Sequence, residues 1–567
     1  MRRNLLVALL VVAIAGCAVQ PTHDGRVSAT MAATERGSVA EGLRALDEKG
    51  AADKEDLLGN LERGELLRID SRYMESLGFF ELADMKVKVW EETAKTAPEQ
   101  LMGQIGATIL GETSRAYEGQ DYEKVMLTTR MAMNRLNLND IDNARVDIKR
   151  THEREAVIAE FRAKETVAAE KDAKDRGVPT EGKELSGYPV ETLNDAEVLR
   201  LKNGYQNALS HYLSGFVYEA LNEPGLAAPG YRHAIELRPD TPVLESGLSG
   251  LDERTSFRRP KGVTDVLFII EAGSAPARKS QRVTFPVPTR NGVIVATIMY
   301  PVIHPNPSAP LVSGIKVGDQ TIAAGLVADF NVMARRSLKD DLPGMQLRAA
   351  IRVIAKGVIQ DQAYRANALL GIATNIAAIV TEPNADDRMW RALPERIFVA
   401  RAYVKPGTYP LQLLGVQDNA STVTVQGKYM IVPVRVFASK TYFGQSASFG
   451  VLPPTLAQDA TAPASATTSK SSAKPPARTS NAASGTTKAP AKSTGTTSSS
   501  AKPAGSAAST SAKPTQGDAQ GKAVAGAPAK TTGNAPAKSR AAQESSSSAE
   551  TRNSDAPATK PSAPATK

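Results

Sequence analysis

The sequence predicts an α+β protein of several domains: a helical half, then a β-rich, sandwich-like half with an inserted helix, then a disordered tail. Three observations carry this. Apolar residues recur at helical spacing from about Val39 to Arg258. From about Lys261 short Val- and Ile-rich runs alternate with Pro and Gly. Beyond Pro453 large apolar residues all but vanish. The expected boundaries are 1–16 for a signal segment, 17–38 for a tether, 39–258 for the helical domain, 259–452 for the β-rich domain and 453–567 for the tail.

The first segment sets the compartment. Arg2 and Arg3 precede an eleven-residue apolar run, Leu5 to Ala15, and Gly16 then stands before Cys17. Such a run is a secretory signal and too short to span a bilayer. The Ile14-Ala15-Gly16-Cys17 sequence matches the lipobox of bacterial lipoproteins, which implies cleavage before Cys17 and acylation of its thiol and new amine. Cys17 is the sole cysteine of 567 residues, so no disulfide or cysteine-metal reading competes. Several acyl chains on one residue anchor essentially permanently. Ala18, rather than aspartate, points to the outer membrane, with the periplasmic face favoured over the cell surface.

The helical half starts with Leu57, Leu58, Leu61, Leu66 and Leu67, continued by Tyr73, Leu77, Phe80 and Met85. Its sharpest stretch is Ala208 to Asp240, which resembles the tetratricopeptide repeat, a helix-turn-helix whose small residues let two helices pack closely. Gly215 takes the small position of the first helix and Tyr218 its aromatic. Ala227, Tyr231 and Ala234 take the second helix's positions, and Pro239 terminates it. His211 and Ser214 depart from the usual tryptophan and leucine. A fainter copy covers Val125 to Glu155, with Met131, Ala132, Ala144 and Ile148 in small or apolar positions and Arg135 in the aromatic slot. A third, Leu67 to Trp90, offers Ala83. About three stacked pairs would make a concave protein-binding groove. The charged run Glu153 to Lys183 reads as a solvated helix face, and Gly177 to Leu193 as a loop.

Strands are expected at Asp265–Glu271, Arg282–Phe285, Gly292–Tyr300, Leu311–Val317, Arg396–Tyr403, Tyr409–Val416 and Lys428–Phe437, with turns at Pro406-Gly407 and Gln417 to Asn419. The inserted helix carries Leu347, Ile351, Ile354 and Val358 on one face and a basic stripe, Arg348, Arg352 and Lys356, on another. Ala366 to Thr381 follows as an uncharged core helix.

The tail is Ala, Ser, Thr, Pro, Lys and Gly without aromatics, so it cannot offset its chain entropy by burial. As a flexible chain it would span roughly 60 Å. Residues 454–567 hold fourteen Lys or Arg and five Asp or Glu, which accounts for the whole net charge of +9; residues 1–453 hold 55 of each. The alkaline balance thus describes a tail suited to a spacer or to weak contact with cell wall or an anionic envelope polymer, and not a nucleic-acid surface.

Three stretches, Tyr117 to Glu123, Glu271-Ala272-Gly273 to Pro286 and Asp386 to Pro394, together with the lipobox, resemble a poorly characterised family of bacterial envelope lipoproteins. That resemblance implies a tetratricopeptide-like N-terminal half and a strand-rich C-terminal half over about residues 40 to 440, and no catalytic residues. In the last stretch Trp390 and Leu393 are expected to bury a turn before the next strand, with Asp386 and Asp387 near Arg388.

No motif of enzymatic chemistry appears: no HExxH, GxSxG, Walker A or GxGxxG. Of His23, His152, His211, His233 and His304, no two stand at metal-ligand spacing, and Asp340-Asp341 and Asp386-Asp387 are merely adjacent. The sequence therefore predicts no catalytic residue, cofactor or metal. It predicts a non-enzymatic outer-membrane lipoprotein scaffold that binds envelope proteins through its helical groove in cell-envelope assembly, with peptidoglycan synthesis the most concrete setting. A subunit of a secretion, pilus or motility apparatus and a cell-wall-modifying hydrolase are the alternatives.

Overall fold

The computed structural model describes residues 22–48, 56–103, 116–175, 190–289, 292–342, 344–345, 385–416 and 420–451. Cys17, the stripe Arg348, Arg352 and Lys356, the segment 366–381, most of the expected loop 177–193, the turn 417–419 and the tail lie outside these residues. The helical and strand-rich halves belong to one compact unit, Met1–Ala462. Secondary structure changes near residue 258 as expected, but packing does not divide there.

The helices are α1 (His23–Glu35), α2 (Val39–Glu48), α3 (Leu57–Ile69), α4 (Tyr73–Thr96), α5 (Pro98–Gly103), α6 (Asp121–Asn137), α7 (Ile141–Asp175), α8 (Ala196–Arg200), α9 (Ala208–Ala220), α10 (Pro224–Leu237), α11 (Pro242–Ser249) and α12 (Leu251–Thr255). A further helix, α13, runs over 330–342. Side chains of Thr22, Asp56 and Asn207 cap α1, α3 and α9, and Gln120 and Glu123 form a capping box on α6. The expected tether 17–38 is corrected here, since Thr22 starts a helix that buries Val27, Met31 and Ala33.

Four helical hairpins share one turn. After α3 the N–H of Asp70, Ser71 and Arg72 bond to the carbonyls of Leu66, Arg68 and Leu67. The same offsets recur at Leu138-Asn139-Asp140, Leu221-Asn222-Glu223 and Arg36-Gly37-Ser38. The middle residue is left-handed each time: Gly37 at φ 106°, Ser71 at 60°, Asn139 at 61° and Asn222 at 61°. This Schellman-type closure satisfies the last carbonyls and reverses the chain within three residues. It pairs α1 with α2, α3 with α4, α6 with α7 and α9 with α10.

The strands are β1 (Thr264–Ala272), β2 (Lys279–Thr289), β3 (Gly292–Val302), β4 (Gly314–Val317), β5 (Gln320–Ala323), β6 (Gly325–Asp329), β7 (Arg396–Val404), β8 (Gly407–Leu414), β9 (Ser421–Val425), β10 (Tyr429–Val436), β11 (Thr441–Phe443) and β12 (Ala447–Phe449). The main sheet runs β11-β10-β1-β7-β6, with β12 also on β10; β1 and β10 are parallel and its other pairs antiparallel. A second sheet runs β5-β4-β8-β9, and β2-β3 is a hairpin. All seven expected strands form. The five others are three to five residues long, too short for a period to register.

The main sheet is the middle layer of three. Val266, Phe268 and Ile270 of β1 share a core with Ile315, Leu411, Leu413 and Val423 of the second sheet. Leu267 and Ile269 join Phe80, Met126, Phe216 and Tyr231 of the helices. With both faces covered, β1 is buried throughout, which explains its unbroken apolar run.

The period of two also aims Asp265 and Glu271 at the helices. Glu271 meets Arg68 of α3 at 3.0 Å and also Arg130 of α6, which reaches Glu65 at 2.8 Å. Burial pushes Glu271 up, but Arg130, Arg68 and Arg435 outweigh it and hold its carboxyl down at about 2; burial dominates at Glu65 and raises it.

Candidate functional site

The residues Gly215, Tyr218, Ala227, Tyr231 and Ala234, expected to pack two helices closely, lie in the α9–α10 hairpin. Gly215 lies under the ring of Tyr231, where a Cβ would come within 2.7 Å of Cδ1. A Cβ on Gly230 would stand 2.8 Å from the Gly215 nitrogen and the His211 carbonyl oxygen, so the two helices cross backbone to backbone. Ala227, Tyr231 and Ala234 are buried, Tyr218 is partly covered, and Pro239 is exposed just beyond α10. In the fainter copies Met131, Ala132, Ala144, Ile148 and Ala83 are also buried. This hairpin is fastened to the sheet, because Tyr231 donates its hydroxyl to Glu219 at 2.7 Å and Arg401 of β7 reaches both residues.

The start of the run 153–183 is not a solvated face. Arg154 is buried and donates to the Lys124 carbonyl at 2.9 Å and to Asp84 at 2.8 Å. Glu155 is buried too, and its Oε2 lies 3.1 Å from His211 Nε2. His152 stacks on His211 with centroids 4.8 Å apart, and His233 stands edge-on to His211 at 4.2 Å. The Gln206 amide nitrogen donates to Glu155 Oε2 at 3.0 Å and lies 3.2 Å from His233 Nε2. Burial, then the neighbouring His211, lowers His152 to about 4 and also lowers His233, which keeps these two rings neutral near pH 7. One ligand atom each from Glu155, His211 and His233 lie within 4.8 Å of one another. Three helices thus unite residues that no local spacing connects.

A second feature lies on α4. Its inner face buries Tyr73, Leu77, Phe80, Val87 and Trp90, yet Met74, Leu82, Met85 and Val89 on the outer face are 67%, 38%, 60% and 67% exposed. Their offsets of 8, 11 and 15 residues keep them within roughly 80° of the helix circumference, so they form one ridge. No alternation of sequence marks it, because apolar residues occur on both faces of α4.

The adjacent acids do not converge on a common point. Asp340 pairs with Arg336 at 2.9 Å and Asp341 with Arg162 at 3.1 Å, while Asp386 holds Arg388 at 2.8 Å. Trp390 and Leu393 are buried as expected. Their turn is held by two helix carboxylates: Glu123 accepts the Trp390 N–H at 2.7 Å, and Glu62 accepts those of Arg391 and Ala392 at 2.7 and 2.8 Å. Burial raises Glu123 to about 7.

Among the described residues no helix is long and apolar enough to cross a membrane. In comparison with known proteins, no family model matches the chain, and no significant match to a curated protein or a solved structure is found.

Proposed function

We propose that this chain is a lipid-anchored scaffold of the bacterial envelope, held at the outer membrane through Cys17, that binds a partner protein on the outer ridge of its α4 helix. The observation that carries the binding half of this reading is the ridge Met74, Leu82, Met85 and Val89. Large apolar side chains aligned on one face are uncommon on a monomer's surface and suit a partner's amphipathic helix, and Met adapts to different contacts. The hairpins are read as tetratricopeptide-like on the close crossing at Gly215 and Gly230 and on buried Ala227 and Ala234. The buried ion pairs between helices and sheet support a stiff platform rather than a pliant groove. The envelope setting rests on the lipobox, and peptidoglycan synthesis is its most concrete version.

The test is in-cell crosslinking from a photoreactive residue at position 85 of the full chain. Capture of a peptidoglycan synthase, lost in Met74→Glu/Val89→Glu with the melting temperature unchanged, supports the reading. Capture of secretion or motility components moves the assignment to such an apparatus, and no capture from position 85 removes the ridge as a binding face. Zymography on peptidoglycan tests the hydrolase alternative. Release from membranes by Cys17→Ser tests the anchor.

A further inference from the structure

We infer that Glu155 of α7, His211 of α9 and His233 of α10 bind one divalent transition-metal ion of the zinc class. Two imidazoles and a carboxylate are a donor set that zinc takes readily, with a fourth position left for water. Calcium and magnesium, which select oxygen ligands, are disfavoured by it.

Three observations place the ion at this point. The first is convergence. Glu155 Oε2 lies 3.1 Å from His211 Nε2, and the Gln206 amide nitrogen is within 3.2 Å of both Glu155 Oε2 and His233 Nε2. Two acceptors therefore aim at one point, where an N–H donor now stands as a cation would.

The second is unmet bonding. His211 Nε2 and Glu155 Oε1 are buried without a hydrogen-bond partner. A metal ion would supply the charge that the buried carboxylate lacks and use the orphaned imidazole nitrogen.

The third is the outer support. His233 Nδ1 is 3.2 Å from Glu236 Oε2, one turn along α10. A carboxylate there holds the proton on Nδ1 and turns the Nε2 lone pair toward the cluster, the usual arrangement behind a metal-bound histidine.

Zinc bonds of about 2.0–2.1 Å place tetrahedral ligand atoms about 3.4 Å apart. The present spread of up to 4.8 Å closes by movement of His233, which is partly exposed, once Gln206 withdraws. Gln206 also lines a crevice with Lys202, Asn203, Leu237 and Arg238, and His233, partly exposed, is the ligand that faces solvent. The bound ion would tie α7 to the α9–α10 hairpin.

The experiment titrates the chelator-treated full chain, carrying Cys17→Ser so that no thiol competes, with cobalt(II) and then zinc(II). One equivalent of cobalt should produce a visible ligand-field band that zinc abolishes, and zinc should raise the melting temperature. His233→Ala should keep the metal-free melting temperature, lose the band and bind zinc at least about a hundredfold more weakly. Glu236→Gln, at an exposed carboxylate that touches no metal, should weaken zinc by about tenfold. Absence of the band and of the zinc-dependent shift in the parent chain overturns the site. So does a band that persists unchanged in His233→Ala, which would place the metal elsewhere. If His233→Ala fails to fold, the Glu236→Gln affinity decides, with no change overturning the proposal.

Discussion

Arg401 of β7 donates to Glu219 of α9 at 2.6 Å, across 182 residues of sequence. The same guanidinium holds Asp265 of β1 at 2.7 and 2.8 Å and the Tyr231 hydroxyl of α10 at 2.9 Å. One side chain thus joins two strands to both helices of a hairpin, all of them buried or nearly so. Lysine would keep the charge but can face only one of these partners at a time. Arg401→Lys should therefore destabilise the fold by about 2–4 kcal/mol in urea unfolding. A change within about 0.5 kcal/mol would mean that water already satisfies these groups.

Arg130 fills the corresponding role at the opposite end of β1. Its removal takes away the cation hydrogen-bonded to both Glu65 and Glu271, leaving Arg68 on Glu271 and Arg435 at 3.6 Å from Glu65. Arg130→Met should cost about 3–5 kcal/mol, and Arg130→Met/Glu65→Leu should recover part of that loss. Equal stability of the single and double variants would show that Glu65 carries no penalty once Arg130 is gone.

The shared hairpin turn gives a prediction of opposite sign. Ser71 holds φ 60°, a conformation that costs an ordinary L residue roughly 1–2 kcal/mol and glycine almost nothing. Ser71→Gly should raise stability by up to about 1 kcal/mol, and Asn139→Gly by less, because asparagine tolerates this region. Calorimetry showing Ser71→Gly less stable than the parent would contradict the role assigned to the turn.

A pH dependence follows from Glu395, whose carboxylate accepts from Asn306 at 2.6 Å. Burial raises it from 4.5 to about 7. The folded state then binds the extra proton, so its contribution is complete below pH 4.5 and is lost as pH rises through about 7. Glu123, raised to about 7 by burial, acts in the same direction. Stability should fall over this interval, by at most about 3 kcal/mol for Glu395 and less where solvent screens it. Glu395→Gln, which still accepts from Asn306, should flatten part of the decline. An unchanged slope would place the titration elsewhere.

Local pattern made much of the architecture readable. The unbroken apolar run of β1, the small residues at Gly215, Ala227 and Ala234, and buried Trp390 each lie in a stretch whose period or composition speaks for itself. The common turn of the hairpins was not readable, because Gly37, Ser71, Asn139 and Asn222 put three residue types in one backbone conformation. The ridge on α4 was hidden for another reason: periodicity shows that apolar residues recur, not which of them another layer will cover.

The sequence by itself determined the α+β order and seven of the twelve strands among the described residues, since these depend on neighbours within a few residues. Tertiary structure alone decided that Glu271 meets Arg68 and Arg130, that Glu62 and Glu123 hold the turn at Trp390, and that Glu155, His211 and His233 converge. Those encounters depend on how three layers stack. A side chain's partner across a layer is set by strand register and helix crossing, which no local spacing encodes.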